Sequence, residues 1–166
     1  MIPFDTFTSL VQTQFGGVLT HGSHTPDGSA CLLEAAHAAL GEVWSDTPDH
    51  WPDLRALNDG PWTSDAARTA ALIPVLQAYW EWRTWSLARQ QTVLARIIVL
   101  TINRLIADLP GLPNYVACAC REARTLYEAE QAAEAAGRAA GWAAGRVVLQ
   151  QACLLWIEAA QEGADE

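Results

Sequence analysis

Apolar residues recur at helical spacing through most of this 166-residue chain, and no sustained two-residue alternation interrupts them. Ile2, Phe4, Phe7, Leu10, Val11 and Phe15 predict an opening amphipathic helix, which Gly16-Gly17 ends. The loop at 18–28 contains Thr25-Pro26-Asp27-Gly28, a tight-turn sequence. Ser29 is the expected N-cap of a helix over 30–40, closed by Gly41. Residues 42–61 carry Pro48, Pro52 and Pro61 among many Asp and read as loop, with one helical turn near 52–57.

Thr63 or Ser64 caps the next helix, where Ala67, Ala71, Leu72, Val75, Leu76, Tyr79 and Trp80 keep a 3.6 period. Pro74 falls inside that pattern and predicts a kink or a fresh start. The period continues to Leu109, where Leu109-Pro110-Gly111-Leu112-Pro113 stops it, with a break expected near 87–92. Residues 114–161 are Ala-rich and read as almost wholly helical, with a disordered tail beyond about 161. The expectation is a single all-α domain, a compact bundle of five or six helices with a long Ala-rich C-terminal helix. Within that last helix Gly137, Gly141 and Gly145 line one face every fourth residue. Each costs about 1 kcal/mol against Ala in a helix interior. Close approach of a second helix is the expected compensation, from this chain or from a second copy in a homo-oligomer.

Composition narrows the function. Hydrophobic residues make up 51% of the chain and charged residues 17%, which fits a folded protein. Net charge is −9, and all ten basic residues are arginine. Broad nucleic-acid binding needs clustered Lys and Arg, so this balance argues against it. It suits solubility, a basic protein partner or mimicry of nucleic acid. The longest apolar run, 97–102, is far short of the roughly 20 residues a membrane span needs. The first fifteen residues lack the basic start of a secretory signal, so a cytoplasmic protein with reduced thiols is expected.

Chemistry concentrates in one segment, His21-Gly22-Ser23-His24-Thr25-Pro26-Asp27-Gly28-Ser29-Ala30-Cys31-Leu32-Leu33-Glu34, continuing to Gly41-Glu42-Val43-Trp44-Ser45-Asp46-Thr47-Pro48. It resembles a segment of uncharacterised helical proteins from actinobacteria and their phages. There a His precedes Ser/Thr-Pro, then come Ala-Cys-x-x-Glu and Gly-Glu-x-x-Ser/Thr-Asp-x-Pro. The match covers 21–48, with looser likeness at Leu57-Asn58-Asp59, at Leu72-Ile73-Pro74 and in the Ala/Trp-rich tail. After Pro48 this chain has Asp49-His50-Trp51-Pro52 where the group often carries Cys. The resemblance implies a phage or actinobacterial origin and a host-interaction or anti-defence setting; it carries over no catalytic residue.

Three readings of the segment stand side by side. In the first, turn and cap chemistry explains nearly every residue, and Cys31 is a small buried side chain. In the second, Cys31 in the first helical turn is a nucleophile, with its thiol pKa lowered by the helix dipole. His24 would be its base and Glu34 the orienting carboxylate; His37, about 120° round the helix, is a poorer base. In the third, His21, His24, Cys31 and Glu34 supply acceptable zinc-ligand types. Elsewhere, Trp80, Trp82 and Trp85 crowd six residues around Arg83, as core packing or as a partner-binding surface with Arg89 beside it. Cys118-x-Cys120 points in two directions on a helix and does not chelate. No Gly-rich phosphate loop, H-E-x-x-H or G-x-S-x-G occurs, so no cofactor is expected. The leading expectation is a non-enzymatic protein-binding module; the alternative is a small cysteine- or metal-dependent enzyme centred on Cys31 with His24.

Overall fold

The computed structural model describes residues 2–26, 28–140 and 149–162. The protein is all-α: among the described residues there are eight α-helices, two short 3-10 turns and no strand. The chain divides into two units, Met1–Thr84 and Trp85–Glu166.

Unit 1 is built on α1 (Phe4–Gln14), α2 (Leu32–Leu40), the single turn α3 (Arg55–Asn58) and α4 (Asp65–Ala78). Phe7 and Val11 of α1 pack on α2, whose Leu32, Leu33, Ala35 and Ala36 are fully or almost fully buried. Leu72, Val75 and Leu76 of α4, with Tyr79 just beyond, complete this core. Ser64 caps α4 by accepting the Ala67 N–H at 3.1 Å. The helix runs through Pro74 to Ala78 as one element. The expected restart therefore lies later: the backbone leaves the helix at Tyr79, forms a 3-10 turn at Trp82–Thr84, and begins again after Ser86.

In unit 2, α5 (Leu87–Arg104) packs against α6 (Asn114–Glu122), α7 (Leu126–Ala140) and α8 (Leu149–Glu162). The expected long C-terminal helix is thus interrupted at Ala123–Thr125. The interruption has a local cause. Thr125 accepts the Glu128 N–H at 3.2 Å while Glu128 accepts the Thr125 N–H at 3.0 Å. This reciprocal box starts a new helix where Ala content alone predicts continuation. Val99, Ile102, Val116, Cys120, Ala129, Ala132 and Ala136 form the core between these helices. Arg96–Glu162 and Arg104–Glu158 pairs join α5 to α8 at 2.8 and 2.6 Å. No helix among the described residues is long and apolar enough to cross a membrane.

Candidate functional site

Cys31, not Ser29, is the N-cap of α2. Its thiol accepts the Glu34 N–H at 3.5 Å, while the Glu34 carboxylate accepts the Cys31 N–H at 2.7 Å. The Cys-x-x-Glu spacing is therefore a capping box with sulfur in the place of a hydroxyl. The same carboxylate reaches back to the preceding loop, accepting the His24 N–H at 2.6 Å and facing His24 Nδ1 at 2.8 Å. Thr20 Oγ1 meets the other ring nitrogen at 3.0 Å, and the Trp44 indole donates to the His24 carbonyl at 2.7 Å. Thr20 N–H donates to the Ala30 carbonyl at 2.9 Å and closes the loop at its base.

Glu34 is completely buried and acts as the post around which this loop is wound. Burial alone pushes its carboxyl pKa up. The N–H groups of Cys31 and His24 and the His24 ring outweigh that, holding it below the ordinary carboxylate value. Cys31 fares differently. Burial, helped by the Glu34 charge, pushes its thiol up to about 12 despite the backbone N–H groups that favour the thiolate. A helix start lowers a thiol pKa only where the thiolate is also solvated. Here the residue is 3% exposed, so the thiol stays protonated near neutral pH. Glu34 touches both His24 and Cys31, but the Cys31 thiol, His24 ring and Glu34 carboxylate do not converge as a group. Both ring nitrogens of His24 and the Glu34 oxygens are engaged in holding the loop. A cleft of about 160 Å³ beside Cys31, lined in part by Asp46, Arg55 and Asp59, has room for a few waters. Arg55 in it is paired with Asp53 at 2.6 Å, and Asp59 accepts the Gly22 N–H at 3.0 Å.

The expected metal set does not converge as a whole: His21 is exposed on the loop, away from the Glu34 post. A different set does converge. His37 lies in the last turn of α2, and Gly41 in the left-handed conformation (φ 71°) ends that helix. Gly41 N–H donates to the Ala38 carbonyl and Glu42 N–H to the His37 carbonyl, both at 3.0 Å. This paired C-terminal cap folds the chain back, so that Glu42 returns to His37. Glu42 Oε2 lies 3.2 Å from His37 Nδ1 and 2.6 Å from His50 Nε2. Among the described residues these three are the group whose His, Cys, Asp or Glu donor atoms all lie within 4.8 Å of one another. Glu42 and His50 escaped the sequence reading because their meeting depends on the return of an irregular loop. The usable signal was Gly41, which predicts a chain reversal immediately before a carboxylate.

The tryptophan cluster is divided by the boundary between the units. Trp80 donates to the Ile2 carbonyl at 2.8 Å and packs on Phe4, Phe7 and Trp51 at 5.2–5.9 Å between ring centroids. Trp82 is buried and packs on Tyr79 at 5.6 Å. Both rings pack within unit 1, Trp82 buried and Trp80 half-buried. Trp85 is half-buried under the Arg89 guanidinium, 3.8 Å from the ring centre. Arg83 is exposed, with its guanidinium 3.6 Å from Glu42 Oε1. Gly137 is exposed, and a methyl group there would meet no described atom within 4 Å. No described helix approaches Gly137 closely; Gly141 and Gly145 lie outside the described residues. No family model, curated protein or solved structure matches the chain.

Proposed function

We propose that the protein works by binding another protein, and that its docking face is an apolar row on α5. Leu87, Leu94 and Ile98 follow one another at i, i+7 and i+11, on one side of the helix. They are 69%, 39% and 41% exposed, whereas Val93, Ile97 and Leu100 are buried. This row carries the reading. Gln90, Gln91 and Thr101 border its line, and no charge breaks it. An exposed, uncharged apolar row is a liability in water unless something covers it. The net charge of −9 supports a partner with a basic rim around an apolar centre. The protonated, buried Cys31 supports a non-enzymatic role, and the resemblance of 21–48 supports a phage–host or anti-defence setting.

The test compares the wild type with Leu94→Glu/Ile98→Glu in pull-downs from an actinobacterial lysate. A protein recovered by the wild type, lost by the variant and released by raised salt is the expected result, with melting temperatures within a few degrees. Equal recovery by both chains would place the face elsewhere, and recovery of nothing above a mock column would overturn the reading. Sedimentation of both chains adds a distinct outcome: a wild-type dimer absent in the variant makes the partner a second copy.

A further inference from the structure

We infer that His37, Glu42 and His50 form a Zn²⁺ site in unit 1. The ligand atoms are His37 Nδ1, His50 Nε2 and Glu42 Oε2, with the fourth position open to water.

One hydrogen bond fixes the tautomer of His37. His37 Nε2 lies 3.1 Å from the Thr47 carbonyl oxygen. A carbonyl only accepts, so Nε2 carries the hydrogen. In the neutral ring Nδ1 then presents a lone pair, and what it faces, 3.2 Å away, is a carboxylate oxygen. Two acceptors pointed at each other need a cation between them, either a proton or a metal ion. The His37 ring is 3% exposed, while the Glu42 carboxylate that faces it reaches the surface. An imidazole whose second nitrogen donates to a backbone carbonyl is also how metal-bound histidines are oriented. His50 brings a second nitrogen to the same oxygen, at 2.6 Å.

Distances and donor types choose among cations. Ligands around tetrahedral zinc, at about 2.0–2.2 Å from the ion, are about 3.4 Å apart. The His37 pair already has that spacing, and His50 needs to withdraw by less than 1 Å. His50 sits on an irregular loop with its neighbour Trp51, whose ring stands edge-on to both imidazoles at 5.4 and 5.6 Å. Two imidazoles and one carboxylate suit zinc, whereas Mg²⁺ and Ca²⁺ prefer all-oxygen shells. Arg83, 3.6 Å from Glu42 Oε1, holds the carboxylate's other oxygen and leaves Oε2 for the ion. Zinc bound here would fasten the 42–50 loop to the end of α2, a stretch with no regular secondary structure.

The experiment uses the full chain, stripped of metal with EDTA and titrated with Zn²⁺, Co²⁺, Mg²⁺ and Ca²⁺. We expect one equivalent of Zn²⁺ and a Co²⁺ complex with the intense visible absorption of a four-coordinate centre. Zn²⁺ at a hundredfold excess over Kd should raise the melting temperature by about 5–10 °C, with no shift from Mg²⁺. His50→Ala, at a half-buried loop position outside any helix, should weaken Zn²⁺ at least a hundredfold; Glu42→Gln should weaken it at least tenfold. His21→Ala should leave it unchanged. Absence of Zn²⁺ uptake by the wild type would mean that a proton bridges the pair and would overturn the site. Zn²⁺ binding kept in both His50→Ala and Glu42→Gln would place the metal elsewhere and overturn it equally.

Discussion

Cys31 shows how much a residue's chemistry depends on its surroundings. At its helix start it has the position of an activated thiol, yet burial outweighs the backbone N–H groups and keeps it protonated. Cys153 is also buried, with a thiol pushed up to about 11, and Cys120 is raised by burial too. Cys118 alone among the four is exposed. Iodoacetamide at pH 7.5 should therefore modify one thiol per folded chain, at Cys118, and four in denaturant. Mass spectrometry of the labelled peptides decides; faster labelling of Cys31 would restore it as a nucleophile. His37 makes the complementary point. Its place six residues after Cys31 made it a poor base, but Gly41 turns it into the partner of Glu42.

Most elements are bounded by short-range signals. Gly16-Gly17, Ser64, Gly41 and the 109–113 stop all act through hydrogen bonds or dihedrals within a few residues. Two helix starts depend on caps with a weak sequence signature: Cys31-x-x-Glu34 reads like Ser-x-x-Glu only once the thiol is allowed as acceptor, and Thr125-x-x-Glu128 lies within an Ala-rich run. Gly137 tests the packing argument at this scale. It lies within α7, exposed, with open space where a Cβ would go. Gly137→Ala should raise stability by about 1 kcal/mol in urea unfolding, the ordinary helix-propensity gain. A loss instead would show a second helix seated on that face, as in a dimer through the glycine row.

The whole molecule responds to acid through two opposing effects. Lowering the pH toward the pI of about 4.8 neutralises a chain of charge −9 and relieves its self-repulsion. Below about pH 4.5 the second effect takes over. Glu34 has a folded-state pKa below its ordinary value of 4.5, so its stabilisation is present above that value and is lost as pH falls through the folded pKa. Asp53, held down by Arg55, and Glu128, held down by the Arg124 and Thr125 N–H groups, act in the same direction but more exposed. We expect the melting temperature to drop below pH 4.5. Glu34→Gln should cost about 2–4 kcal/mol at pH 7, because it removes the charged acceptor of a buried network. It should also flatten the acid limb; an unchanged limb would assign the acid sensitivity to other carboxylates.

The sequence by itself determined the helical class and most helix ends. Those features rest on local forces: the apolar period, the caps and the turn residues act within one or two turns. Tertiary structure alone decided that the chain divides at Thr84 and that Trp82 and Cys31 are buried. It also decided that His50 crosses an irregular loop to meet Glu42 and His37. Burial depends on what the rest of the chain places overhead, and a loop's return depends on anchors far from it in sequence. Neither leaves a periodic trace along the chain.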